Sequence, residues 1–159
     1  MLAPPEPKGA ARLKQARLLA LLVPAGLLGG ALLSQYAGGL YPCEMCYWQR
    51  WPHMVAIAVG LLALASFAWP RLALVFMLTA ITALIVTAGI GVFHVGVEYH
   101  WWAGPQACSG NVPRGLSPEQ LKAYLFGAKM VRCDETAWAM WGISMAGWNA
   151  ILSAALAVV

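Results

Sequence analysis

Four long apolar blocks, at about 18–36, 51–69, 72–95 and 137–159, are separated by shorter polar stretches. Each block is near the roughly 20 residues that cross a bilayer at about 1.5 Å per residue. The pattern predicts an all-α integral membrane protein, a four-transmembrane-helix bundle forming one domain over 1–159. Between the blocks lie two larger loops, about 34–50 and 98–136, on one face, and a minimal turn, Trp69-Pro70-Arg71, on the other. Trp51, Trp69, Trp101, Trp102 and Trp138 stand where the blocks meet the loops, as interfacial aromatics do. Pro52 suits an early helical turn and leaves the start of the second helix open. Small residues, Gly26 and Gly30 in the first block and Gly89 and Gly91 in the third, suit close helix packing.

The segment before the first block, Met1 to Gln15, is basic and has no apolar period, so an unstructured tail is expected. Inside the second loop, Ser117-Pro118-Glu119-Gln120 has the order of a helix start, with Ser as N-cap, Pro at N1 and Gln at N3. The helix that follows would put Leu121, Tyr124, Leu125 and Ala128 on one face and Lys122 and Lys129 away from it. That is the pattern of a short amphipathic helix lying in the bilayer interface. The alternative is a loop helix packed on other residues.

Composition supports the membrane reading: 61% of residues are hydrophobic and 10% charged, too apolar a balance for an ordinary soluble domain. The net charge of +4 does not point to nucleic acid, because Lys8, Arg12, Lys14 and Arg17 cluster just ahead of the first block. With Arg71 they anchor the cytoplasmic side and leave both larger loops outside, although Arg114, Lys122, Lys129 and Arg132 in the second loop weaken the asymmetry. A cleaved signal peptide is the rival for the first block, with small residues at Gly29, Gly30 and Ala31 but no A-x-A site.

The chemistry centres on Cys43-Glu44-Met45-Cys46, a C-x-x-C placed directly before the second block. Such a pair can close a small disulfide ring, and its setting lowers a thiol pKa. If the chain is helical from about Cys46, Arg50 lies one turn on, on the same face, where a guanidinium stabilises a thiolate. His94 and Glu98, also four apart, are ionisable groups near the outer end of the third block and so functional candidates. A structural hydrogen bond between them is the plainer alternative. The other two cysteines, Cys108 and Cys133, lie in the second loop.

Four cysteines allow three pairings, of which Cys43–Cys46 with Cys108–Cys133 is the simplest; the spacing alone selects none. A zinc site asks for two close pairs, and 25 positions separate Cys108 from Cys133 (133 − 108). Covalent haem attachment asks for His after the second cysteine, where Tyr47 stands. Purely structural disulfides would leave unexplained why the tight pair borders an arginine at the membrane boundary.

The chain resembles the DsbB family of bacterial inner membranes. The resemblance is carried by the basic N-terminus, the four blocks, Pro42-Cys43-x-x-Cys46 with Gln49-Arg50, and the Cys108/Cys133 loop. The run Cys133-Asp134-Glu135 leading to Trp138 and Gly142-Ile143-Ser144-Met145 adds to it. It implies a protein-dithiol:quinone oxidoreductase, with both cysteine loops periplasmic, that reoxidises a DsbA-type thioredoxin-fold oxidase and passes electrons to ubiquinone or menaquinone in the bilayer. It implies a Cys108–Cys133 disulfide attacked by the partner at Cys108, a transient bridge from Cys108 to Cys43, and a freed Cys46 thiolate meeting the quinone. Arg50 would hold a quinone oxygen, and His94 and Glu98 would orient the ring or move protons. Two alternatives stand beside this: a vitamin K epoxide reductase-like quinone-reducing thiol oxidoreductase, and a non-enzymatic membrane protein with stapled loops.

Overall fold

The computed structural model describes residues 8–66, 68–105, 108, 115–127 and 131–158. Its elements in order are α1 (Lys8–Tyr36), α2 (Glu44–Ala65), α3 (Pro70–Glu98), the short α4 (Pro118–Gly127), β1 (Ala139–Met140), β2 (Ile143–Ser144) and α5 (Met145–Val158). The protein is mostly helical, and α1 (over Arg12–Tyr36) and α3 are long and apolar enough to cross a membrane.

Two boundaries differ from the sequence expectation. From Lys8 onward the expected tail is helical, continuous with α1. Lys, Ala, Arg, Leu and Gln are strong helix formers, and adding turns to an existing helix avoids the cost of a new nucleus. The last block does not begin its helix near Ala137. Residues 139–144 form a two-stranded antiparallel hairpin with Ala139 opposite Ser144 and Met140 opposite Ile143. Its turn residues, Trp141 and Gly142, both have positive φ, 53° and 78°, as a type I′ hairpin turn requires. Glycine takes that conformation freely, which stops the apolar run from continuing as helix. The described helix α5 has 14 residues, about 21 Å at 1.5 Å per residue.

Helix α4 starts as the sequence indicates. The Ser117 hydroxyl accepts from the Gln120 amide at 3.2 Å, and the Gln120 side chain accepts from the Ser117 amide at 3.0 Å, a reciprocal capping box. Ala128 and Lys129 lie outside the described residues, as do the side chains of Tyr124 and Leu125, so of the expected apolar face only Leu121, which is half-buried, falls among them.

Helix α3 is the centre of the bundle, packed between α2 and α5, and α1 lies mainly against α2. The buried stripe of α2 runs Met45, Gln49, His53, Ala56, Gly60, Ala63, at steps of three and four. Leu22, Leu33, Leu61, Leu74, Leu78, Ile85 and Val92 point outward and are exposed. That is the reverse of a soluble domain, and it suits helices whose outer surface is solvated by lipid.

The α3–α5 approach depends on Gly91, where an added Cβ would stand 3.0 Å from both the Ala146 carbonyl oxygen and the Ala150 Cβ. Gly89 on the same helix has nothing within 4 Å of such an atom. Gly91→Leu is therefore expected to destabilise the protein by about 1–3 kcal/mol through overpacking, and Gly89→Leu to change it little. Thermal unfolding of the two variants in one detergent checks this, and equal shifts would contradict the assigned helix contact.

Candidate active site

The interior near one end of the bundle is polar, and both cysteine pairs gather there. The N-terminus of α2 begins this arrangement. Cys43 is its N-cap, in extended conformation, and its sulfur accepts from the Cys46 amide at 3.2 Å. Cys46 follows in the first turn, and the two sulfurs stand 2.8 Å apart as free cysteines. Unpaired amides of a helix N-terminus favour negative charge at this point.

Cys108 and Cys133 form a disulfide. It packs with Cys43, Met45 and Val97 in one buried cluster, with Cys43 4% and Cys133 0% exposed. The sulfurs of Cys43 and Cys133 and a ring nitrogen of His94 all lie within 4.8 Å of one another. This triad has the spacing of a metal site, but the sulfur of Cys133 is engaged in the disulfide and offers no thiolate ligand. The arrangement is instead that of a thiol beside a disulfide, close to the distance at which one sulfur can attack another.

The two α2 cysteines are electrostatically unequal. Cys46 is held below the ordinary thiol range, first by the hydrogen bond from Cys43, then by the backbone at Cys43 and the Arg50 charge, against burial and Glu98. Cys43 is pushed above it, by that same hydrogen bond to Cys46 and by burial. Cys46 is thus the more acidic thiol of the pair, and the thiolate is the reactive form. In the dithiol protein, alkylation of Cys46 is expected to persist at pH values below the usual thiol pKa of about 8.5, declining only as pH falls through its lowered value. Cys43→Ala should move this profile upward further than Arg50→Gln does, because the sulfur hydrogen bond is the larger cause. Mass-spectrometric alkylation rates across pH decide the order.

Arg50 is half-buried and reaches across to α1, donating to the Gln35 side-chain oxygen at 2.6 Å and the Ala31 carbonyl at 3.3 Å. Its guanidinium also lies over the Tyr47 ring, 5.2 Å from the centroid. Beside it is a cavity of about 410 Å³ lined by Cys46, Arg50, His94, Glu98, Trp138 and Trp148, with Gly26, Gly30 and Ala31 of α1 forming part of its wall. That volume is within the usual range for small-molecule sites, about 300–1,000 Å³.

The structure brings Cys43, Cys46, Cys133, Arg50, His94 and Glu98 to this one region, and Cys108 through its disulfide. His94 and Glu98 do not act as a simple pair. His94 meets the Cys43 sulfur at 3.5 Å and the Gln49 amide at 2.7 Å, whereas Glu98 lies near the Ser144 hydroxyl with its Oε2 buried and unpartnered among the described residues. The sequence reading overlooked Gln35, His53, Thr87 and Asn149. Asn149 donates to Gln49 at 2.6 Å and to Thr87 at 3.1 Å, and its oxygen meets His53 at 2.6 Å. The signal was available: His53, Thr87 and Asn149 are lone polar residues inside apolar blocks, where such groups seek partners on other helices.

Fold and site together define a class: a helical membrane protein in which a C-x-x-C at a helix N-terminus abuts a loop disulfide. The chain belongs to the family described as Disulfide bond formation protein DsbB, which matches residues 13–159. It is similar to Disulfide bond formation protein B of Marinobacter nauticus, 33% identical over 148 residues, covering 88% of this chain and 84% of that protein. Another relative is Disulfide bond formation protein B of Methylococcus capsulatus, 31% identical over 141 residues, 82% of this chain and 81% of that protein. An uncharacterized protein of Rickettsia prowazekii is 25% identical over 149 residues, 92% of this chain and 85% of its own length. No solved structure matches. Family membership makes this a membrane protein of disulfide bond formation.

Proposed function

We propose that this protein is a protein-dithiol:quinone oxidoreductase of the bacterial inner membrane that reoxidises a periplasmic DsbA-type thiol oxidase. In this reading α2 and α5 join α1 and α3 as spans of a single four-helix membrane domain. The Lys8–Arg17 cluster and Arg71 are cytoplasmic, and both cysteine loops are periplasmic, where disulfides persist. The observation that carries the reading is the approach of Cys43 and Cys133 to within 4.8 Å, with Cys46 and Arg50 on the wall of the adjoining cavity.

The thiol steps follow from that geometry. A thiolate of the reduced partner attacks Cys108, the Cys108–Cys133 bond breaks, and Cys133 leaves as thiolate. Because the partner occupies Cys108, the freed sulfur is Cys133, and it is also the one grouped with Cys43. The transient bridge to Cys43 is therefore assigned to Cys133, in place of the Cys108 bridge that the resemblance suggested. Cys133 attacks Cys43 of a Cys43–Cys46 disulfide and expels Cys46 as thiolate. The partner's second thiol then displaces Cys108 and leaves oxidised. Cys108 attacks Cys133, restoring the loop disulfide and releasing Cys43. A ubiquinone or menaquinone ring bound in the cavity is the acceptor for the two electrons and two protons given up when Cys43 and Cys46 join. Arg50 lines the cavity, and its guanidinium is assigned to holding an anionic ring oxygen there. His94 and Glu98 line the same cavity and are assigned to orienting the ring or moving protons.

The test is anaerobic quinone reduction by the purified protein supplied with a reduced thioredoxin-fold dithiol partner. The expected result is one quinone reduced per partner disulfide formed. Failure of the native chain with both quinone types and several such partners would favour a membrane protein with stapled loops.

A further inference from the structure

Inside the bundle a set of hydrogen bonds runs from α5 through α2 to α3 and ends at the sulfur of Cys43. Each link has a direction, because two groups in it have no choice. The Met45 carbonyl can only accept, and the Gln49 Nε2 faces it at 3.4 Å, so the amino end of the Gln49 amide is on that side. The Gln49 backbone carbonyl can only accept, and the Thr87 hydroxyl donates to it at 3.0 Å. With its proton committed there, Thr87 offers only lone pairs to Asn149, which must present its amino end, 3.1 Å away. That amino end also donates to the Gln49 Oε1 at 2.6 Å. Both anchors therefore give Gln49 the same orientation: Oε1 toward Asn149 and Nε2 toward the His94 Nδ1 at 2.7 Å. A nitrogen that accepts from Gln49 carries no proton, so neutral His94 holds its proton on Nε2. That atom is the one 3.5 Å from the Cys43 sulfur, and its N–H also faces the Cys133 carbonyl, which can only accept.

We propose that Asn149 is a positioning residue for thiol exchange: by fixing the Gln49 amide it holds His94 with its Nε2–H directed at Cys43. The far end of Asn149 is fixed too, since its Oδ1 accepts from Ser153 at 3.3 Å and meets the His53 Nε2 at 2.6 Å. The consequence falls on one step. When Cys108 attacks Cys133 of a Cys43–Cys133 bridge, the electron pair of the broken bond goes to Cys43, and the His94 N–H stabilises that leaving thiolate. The role in exchange rests on the function proposed above, whereas the direction of the hydrogen bonds does not.

The test begins with Asn149→Asp, which matches asparagine in shape but accepts where asparagine donates. The carboxylate, as a charged acceptor, then draws the Gln49 amino end to itself at the cost of its weaker contact with the Met45 carbonyl, 3.4 Å away. This turns the Gln49 oxygen to His94 and moves the ring proton from Nε2 to Nδ1. The probe is ¹⁵N-histidine NMR of the detergent-solubilised protein, at a pH where the carbon resonance of the new carboxyl shows it ionised. His94 is assigned by His94→Gln. The expected result is Nε2–H in the native chain and Nδ1–H in the variant; Nε2–H in both overturns the proposal. Should that variant fail to fold, Gln49→Glu places an acceptor against His94 directly and is expected to give the same inversion, and its absence counts equally against it. The second readout is alkylation of Cys43 in a Cys46→Ser, Cys108→Ser, Cys133→Ser background, in which Cys43 has no disulfide to exchange with. Loss of the N–H should slow it roughly tenfold, as for one hydrogen bond to a charged group. Mere loosening of the fold would speed it, because Cys43 is buried, and that outcome rejects the role in exchange. Neither readout uses quinone turnover, so an inactive native chain with the expected tautomer would remove the proposed function and leave the positioning intact.

Discussion

Cys46→Ser protein is expected to reduce quinone roughly a thousandfold more slowly than the native chain, or not at all, since a hydroxyl can neither carry the thiolate charge nor close a disulfide. The same variant has a second, structural readout. Cys43 keeps its place within 4.8 Å of the Cys133 sulfur and has lost its own partner. Exchange with the loop disulfide then yields Cys43–Cys133 and a free Cys108, with no change in oxidation state. Non-reducing peptide mapping should find residues 43 and 133 linked and Cys108 open to alkylation. Linkage of Cys43 to Cys108 would refute the order of thiol steps, and continued quinone reduction would refute Cys46 as the electron donor.

Arg50→Ala is the other large effect. A cation held toward a developing oxyanion contributes about 10²–10³ in rate, and a loss of that size is expected in quinone reduction. Capture of the partner at Cys108 should change only a few-fold, because that sulfur lies in the second loop and its attack does not involve the cavity. The guanidinium is held by Gln35 and the Ala31 carbonyl, so Gln35→Ala should give a weaker version of the same split by letting Arg50 wander. Rapid-mixing measurement of partner capture and of quinone absorbance separates the two steps. Equal loss of both would show that Arg50 serves the fold instead of the acceptor.

Much of this was legible in the chain. The absence of charge from the apolar blocks, the basic cluster ahead of the first, and the C-x-x-C with Arg50 one turn on are local features, set by short-range spacing and solvent preference. They were enough to point to a helical membrane protein, to name the cysteines, and to raise the family resemblance. The capping box at Ser117 and Gln120 is local too, and it formed as its spacing required. Where local signals were ambiguous the reading slipped. Lys8 to Gln15 has helix-forming residues but no apolar stripe, and it is helical. The Trp141-Gly142 turn lacks the usual Asn-Gly or Asp-Gly signature, so an apolar run concealed a hairpin.

By itself, then, the sequence determined the class of protein and picked out the candidate cysteines and charged residues, because hydrophobic length and C-x-x-C spacing act over one or two helical turns. Only the tertiary structure decided which of those residues meet. Cys43 and Cys133 are ninety positions apart (133 − 43) and touch through the docking of the second loop on α2 and α3. Asn149 reaches Gln49 across 100 positions because α2, α3 and α5 pack side by side. Contacts of that kind arise from the packing of whole helices and from buried polar groups finding partners where water is absent, and no window along the chain contains both ends of them.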